Sequence, residues 1–291
     1  MVSSYTFKKY STSFHSTSII MHPFLNIADR AARLAGKTIL DGLNRLDRLR
    51  MQHKQDNRGV VTEIDLKAEK IIISTIQEAY PNHGIIAEES APIHGDKYTW
   101  IIDPLDGTCN YVHDFPHFAV SIAIKNNEKD YIEHALIYDP LRQETFTATR
   151  GQGAYLNNTQ RFTRRLRVSS RSSIPESLIG ITIPSRGFNT LNAAINKDAL
   201  RAMMSQASGI RRTGSAALDL AYVAAGRLDA ALELEVAPWD MAAGVLLVKE
   251  AGGVACDIKG NENYFETGHI LVANPKLSPL VLQSIRSIRS I

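Results

Sequence analysis

In the stretch Trp100-Ile101-Ile102-Asp103-Pro104-Leu105-Asp106-Gly107-Thr108, an apolar run ends in a carboxylate, and a second carboxylate follows three residues later. Between the acids, the carbonyl of Leu105 can face outward. Such a turn offers hard oxygen ligands of the kind Mg²⁺ takes. The amides of Gly107 and Thr108 can face an anion if a helix starts there. Metal and anion on one turn point to phosphate chemistry. Taken alone, the nine residues fit a solvated Asp-Pro/Asp-Gly turn equally well.

Other acids share the setting. Asp65 opens a helical pattern, Glu88 and Glu89 end the apolar run Ile85-Ile86-Ala87, and Asp240 follows Pro238-Trp239 at the start of another helix. Each is an acid at the end of an element, held by apolar residues behind it. For Asp65 or Asp240 singly, helix capping is a sufficient explanation. Together they repel one another in a shared cleft unless a divalent cation neutralises them.

The elements that must carry these residues can be read from periodicity. Ile27, Ala28, Ala31, Leu34, Ala35, Ile39, Leu43 and Leu46 predict a first helix near 22–50, and Ala68, Ile71, Ile72 and Ile76 a second. Strands are predicted at 85–87, 98–102, 118–124, 132–138, 144–149 and 154–156, an antiparallel sheet with two helices packed on it. From 179 onward, strands at 179–183, 210–213, 228–234 and 270–273 alternate with helices at 190–207, 216–225, 238–250 and from about 276. That rhythm predicts an α/β half. The chain divides into an extension at 1–20, an α+β metal-site half at 21–157 and an α/β half at 158–291, with a cleft between the halves.

The 291 residues allow one large domain or two intimate halves. A net charge of +3 permits nucleic-acid contact without indicating it. The Arg161–Arg171 run, with Arg164, Arg165 and Arg167, reads as a solvated strand edge or as a docking patch for RNA or an acidic partner. Cys109 and Cys256 have neither metal nor disulfide spacing, which predicts a reducing, cytoplasmic setting. Cys109 is expected to be a small buried residue. No apolar run is long enough to span a bilayer. Residues 1–20 contain no acid and lack the apolar core of a secretory signal, so they read as a disordered extension or an upstream start.

Two signatures, Trp100-Ile-Ile-Asp-Pro-Leu-Asp-Gly-Thr-Cys-Asn110 and Trp239-Asp-Met-Ala-Ala-Gly244, together with Gly84-Ile-Ile-Ala-Glu-Glu-Ser90, resemble the inositol monophosphatase family of lithium-sensitive, magnesium-dependent sugar phosphatases. The likeness runs from about residue 21 to the C-terminus. It is nearest to a bacterial branch that also takes part in ribosomal RNA transcription antitermination, through Arg211-Arg-Thr-Gly-Ser-Ala-Ala-Leu-Asp-Leu-Ala-Tyr-Val-Ala-Ala-Gly226 among other stretches.

The resemblance implies a layered α-β-α-β-α sugar-phosphatase fold of the α+β class and a Mg²⁺ cofactor. It implies metal ligation by Glu88, Asp103, the Leu105 carbonyl, Asp106 and Asp240, with Asp103 bridging two ions. Asp65 and Thr108 match the pair that activates the attacking water, with Glu88 beside them as a further catalytic acid. Leu105, Asp106, Gly107 and Thr108 would line the phosphate, and Arg211, Ala216, Glu233 and Asp240 the sugar. The implied activity is inositol-phosphate phosphatase. Implied partners are a phosphorylated sugar or polyol, a second copy of the chain, RNA polymerase, Nus factors and antiterminator RNA. Two alternatives stay open: a phosphatase for another sugar or nucleotide phosphate, and a non-enzymatic transcription scaffold. Cys109 and Tyr111 stand where the family usually has Thr and Phe, and Glu235 adds an acid in a stretch that is commonly Gly-rich.

Overall fold

The computed structural model describes residues 21–53, 60–158, 161–182, 201 and 203–287. Helix α1 (Pro23–Leu43) starts with proline at its first position, and the His22 ring accepts a hydrogen bond from the Phe24 amide. Its buried face is Leu25, Ala28, Ala31, Ala32, Ala35 and Ile39, as the periodicity predicted. The helix ends at Leu43 rather than near 50. Asn44 closes it, and Leu46 belongs to a following 3₁₀ turn that sends the chain back into the hairpin β1 (Met51–His53) and β2 (Val60–Thr62). That hairpin delivers helix α2 (Glu63–Ala79), which packs along α1.

The first sheet has seven strands in chain order: β3 (Gly84–Ala87), β4 (Tyr98–Asp106), β5 (Ala119–Asn126), β6 (Tyr131–Asp139), β7 (Glu144–Thr149), β8 (Gly153–Asn158) and β9 (Arg161–Arg165). All neighbours are antiparallel except β3 and β4. A short helix α3 (Thr108–Val112) follows β4. The second sheet is mixed, in the order β11 (Gly209–Arg211), β10 (Leu178–Thr182), β12 (Ala230–Leu234), β14 (His269–Ala273), β13 (Val254–Cys256). Helices α4 (Ala216–Ala224), α5 (Pro238–Glu250), α6 (Tyr264–Thr267) and α7 (Ser278–Ser287) complete the described elements. The predicted helix 190–207 lies mostly outside the described residues, as does the predicted extension 1–20.

Burial assigns the layers. Ile102, Val120, Ile122, Ile124 and Leu136 face α1 and α2, while Ile101, Ala123, Ala135, Ile137 and Phe146 face α4 and α5. The period-two alternation of a strand thus feeds two cores. Across α4 and α5 lies the second sheet, where Ala231 joins this core and Ala230 and Leu232 face Leu277 and, on α7, Val281 and Ile285. The result is the expected α-β-α-β-α layering. Helices α4 and α5 approach closely at Gly244, where a Cβ would stand 2.4 Å from Leu220 Cβ. Gly244→Ala is expected to force the two helices apart and lower stability by about 1–3 kcal/mol, measured as a shift in urea midpoint.

Candidate active site

The acidic turn is built on an irregularity in β4. Asp103 pairs with Ser121 of β5, but Asp106 pairs with Ala119, so three steps on one strand match two on the other. In a regular strand, residues three apart point to opposite faces. The extra residue of this bulge brings both carboxylates to one side. Pro104, which has no amide to give to a ladder, sits inside the bulge. Asp103 is 1% exposed, and its Oδ1 accepts the Leu105 amide at 2.9 Å. Gly107 then turns with φ +92°, where a Cβ would lie 3.0 Å from the His117 carbonyl. This left-handed step suits glycine, and it points the first amides of α3 away from the helix.

Asp106, Asp103 and Asp240 each offer an oxygen within 4.8 Å of the others. Asp106 reaches across to the start of α4: Ser215 Oγ donates to its Oδ2, and so does the Ala217 amide at 2.9 Å. Asp240 is the third residue of α5, and its Oδ2 accepts the Ala237 amide at 2.6 Å. Glu88 follows β3, where its amide continues the ladder to the Ile102 carbonyl at 3.2 Å. It is partly buried and adds its charge to the same cluster. Burial raises all three aspartates, helped by their mutual repulsion and by Glu88: Asp103 well above the carboxylate range, Asp106 to about 6 and Asp240 to about 8. Hard carboxylate oxygens that gather and repel one another suit a divalent cation.

Asp65 lies next to this cluster with 0% exposure. It is the third residue of α2 and closes a capping box, its Oδ2 taking the Thr62 amide at 2.9 Å and the Thr62 hydroxyl. Its other oxygen takes the Thr108 hydroxyl at 2.8 Å, and that hydroxyl stands 3.0 Å from the Leu105 carbonyl. Burial raises the Asp65 carboxyl, and the hydrogen bonds from Thr62 and Thr108 oppose the rise. Capping and site geometry therefore coincide in one side chain.

The remaining predicted residues fall around this centre in different ways. Ala216 opens α4 beside Asp106. Arg211 is exposed on β11 and bonds the neighbouring Ile210 carbonyl. Glu233 is fully buried on β12, with Asp219 of α4 against it. Cys109 is exposed, contrary to expectation, because α3 turns its second residue outward while Tyr111 fills the core and bonds the Ile39 carbonyl.

Several supports had no sequence signal that singled them out. Glu69 on α2 accepts the Glu89 amide at 2.8 Å and so braces the Glu88 loop. Asn110 Nδ2 donates to the carbonyls of His117 and Thr213, joining the two halves. Thr62 was legible as the first residue of a Thr-x-x-Asp capping box.

A model of the inositol monophosphatase family matches residues 20–290. The Nus factor SuhB of Pseudomonas aeruginosa is 48% identical over 270 residues, covering 91% of this chain and 97% of that one. The crystal structure of the extragenic suppressor protein suhB from Bartonella henselae superposes with a TM-score of 0.86 at 37% identity, covering 93% of this chain and all of that one. The inositol monophosphate-bound structure of IMPase-II from Staphylococcus aureus has a TM-score of 0.70 at 27% identity, over 91% and 93% of the two chains.

Proposed function

This chain belongs to the inositol monophosphatase family, and we propose that it is a Mg²⁺-dependent phosphatase of small phosphate monoesters whose substrate is myo-inositol monophosphate. The observation that carries the reading is the convergence of Asp103, Asp106 and Asp240 within 4.8 Å, beside a buried Asp65–Thr108 pair. Glu88, Asp103, the Leu105 carbonyl, Asp106 and Asp240 would hold the metal. When bound, the cation supplies counter-charge for the phosphoryl oxygens and acidifies water.

The chain's own residues do the rest. Asp65 fixes the Thr108 hydroxyl, which presents its free lone pair to an attacking water, and the pair orients and deprotonates it. The amides of Gly107 and Thr108 hold the phosphate at the start of α3. On the polyol side stand Arg211, Ala216 and Glu233. Asp106 and Asp240 orient the leaving group from the metal edge. A second copy of the chain as a partner and a cytoplasmic setting belong to the same proposal.

A panel of myo-inositol monophosphate, fructose 1,6-bisphosphate, histidinol phosphate and a nucleotide 3′-phosphate tests the substrate. The inositol ester is expected to lead in kcat/KM by at least about tenfold, a selectivity of about 1.4 kcal/mol. Preference for another ester by that margin would replace the substrate and keep the chemistry.

A second role has its own support in the Nus-factor relative. We propose that this chain also joins a transcription complex through a surface apart from the metal cluster. Strand β9 is the outer edge of the first sheet, and Thr163, Arg164 and Arg165 are exposed on it. Arginines on a strand edge suit an RNA backbone. Arg164→Glu with Arg165→Glu is expected to weaken RNA-dependent capture of RNA polymerase and to flatten its salt dependence, with phosphatase turnover retained. Capture unchanged by the double reversal would remove this edge from the interface.

A further inference from the structure

Asp219 on α4 and Glu233 on β12 form a second acidic group behind the metal-facing cluster, both 0% exposed. Asp219 Oδ1 accepts the Thr213 hydroxyl at 2.9 Å. Its Oδ2, both oxygens of Glu233 and the Thr182 hydroxyl on β10 are buried with no hydrogen-bond partner among the described residues. Yet the two carboxyls lie close enough to interact, and Thr182 faces Glu233. For the two carboxyls, the observations agree if they meet acceptor to acceptor, an arrangement that a proton turns from repulsion into a hydrogen bond. Gly180 leaves the room for it, since a Cβ there would lie 3.1 Å from Asp219 Oδ2.

The charged groups acting on Asp219 are Glu233 and Asp106, and those acting on Glu233 include Asp219, Asp106 and Asp240. All are acidic. Burial, as the largest cause, moves Asp219 to about 7 and Glu233 well above the ordinary range. Two ionised carboxylates in contact in a buried site cost more than a shared proton.

We propose that Asp219 and Glu233 share one proton, and that Asp219 is a positioning residue that fixes Glu233 for the polyol end of the substrate. The second clause rests on the reading of Glu233 as a polyol-side group given above. Thr213 links the pair to the phosphate side: its hydroxyl donates to Asp219 while its carbonyl accepts from Asn110 on α3.

Two variants separate positioning from bulk structure. In Asp219→Asn the amide nitrogen donates permanently to Glu233, and the amide oxygen still accepts from Thr213. In Asp219→Leu neither is possible. With saturating Mg²⁺, Asp219→Leu is expected to raise KM for myo-inositol monophosphate by about tenfold or more with kcat little changed, the signature of lost uniform binding, while Asp219→Asn keeps KM within about threefold. On p-nitrophenyl phosphate, which has no polyol, both variants are expected to match wild type. Equal KM shifts in the two variants, or equal shifts on the two esters, would overturn the positioning role.

The shared proton has a separate readout in the melting temperature of Mg²⁺-loaded protein. A carboxyl raised in the folded state stabilises below its unfolded pKa, and that contribution is lost as pH rises through the folded value. Wild type should therefore fall relative to Asp219→Asn as pH rises above the ordinary aspartate range, because burial holds the Asp219 carboxyl raised in the fold. A difference constant between pH 5 and 9 would overturn the shared proton. This arm decides even if wild type hydrolyses p-nitrophenyl phosphate but not the inositol ester, which would sink the substrate reading alone. It also decides if Asp219→Leu fails to fold.

Discussion

Asp103→Asn is expected to abolish turnover and, in metal-free protein, to raise the melting temperature. Asp103 has a buried carboxyl raised first by burial and then by Glu88, Asp106 and Asp240. Asn keeps the shape and an oxygen to accept the Leu105 amide, but it removes one charge from the cluster. Without metal, that charge is a liability. With metal bound, it would be one of the groups that hold the cation. Loss of kcat/KM should exceed about a hundredfold, near 2.7 kcal/mol of transition-state stabilisation. Retention of more than about a tenth of wild-type activity, a loss under about 1.4 kcal/mol, would exclude Asp103 as a ligand the chemistry needs.

The stability arm carries a sign. Asp106 and Asp240 hold their protons to about 6 and about 8 in the fold, well above an unfolded aspartate. The folded state therefore binds more protons than the unfolded one across this window. Metal-free wild type is expected to lose stability as pH rises from about 4 to about 8, with a shallower loss in Asp103→Asn. Added Mg²⁺ should restore wild type at the upper end and Asp103→Asn much less. A melting temperature rising through this window in metal-free wild type would contradict the account.

Thr108→Ala is expected to lower kcat by about a hundredfold to ten-thousandfold, the range of a general-base contribution, with Mg²⁺ affinity little changed. The Thr108 hydroxyl is the group held by Asp65 at 2.8 Å, and Ala leaves the water without that guide. Thr108→Ser keeps the hydroxyl and should retain most activity. Asp65→Ala should show the same kcat defect and in addition destabilise the fold by about 1 kcal/mol, because it breaks the capping box of α2. Calorimetric Mg²⁺ titration beside turnover separates the roles. Normal kcat with much weaker Mg²⁺ binding in Thr108→Ala would make the residue part of the metal site instead.

Much of this site was legible because it sits where local patterns change. The apolar run into Asp103, the Gly107-Thr108 step, and Asp65 and Asp240 at helix starts are written in adjacent residues. The structure adds what local pattern cannot encode. Residues 103 and 106 should face apart in a regular strand, and only the pairing with β5 reveals the bulge that unites them. Asp106 is held by Ala217, 111 residues away in sequence, and Asp65 by Thr108, 43 residues away. The Asp219–Glu233 pair joins a helix to a strand, and neither residue is unusual in its own neighbourhood. The early end of α1 is of this kind as well: Leu46 continues the helical spacing, but the return of the chain to β1 and β2 overrides it.

The central claim is that the acidic cluster, once loaded with a divalent cation, hydrolyses a phosphate monoester. The most direct test is phosphate release from myo-inositol monophosphate by protein stripped with a chelator and then titrated with Mg²⁺. The account predicts no release from the stripped protein and saturable restoration by Mg²⁺ in wild type but not in Asp103→Asn. Release that persists undiminished in the stripped protein, or that Asp103→Asn recovers as fully as wild type, would contradict it.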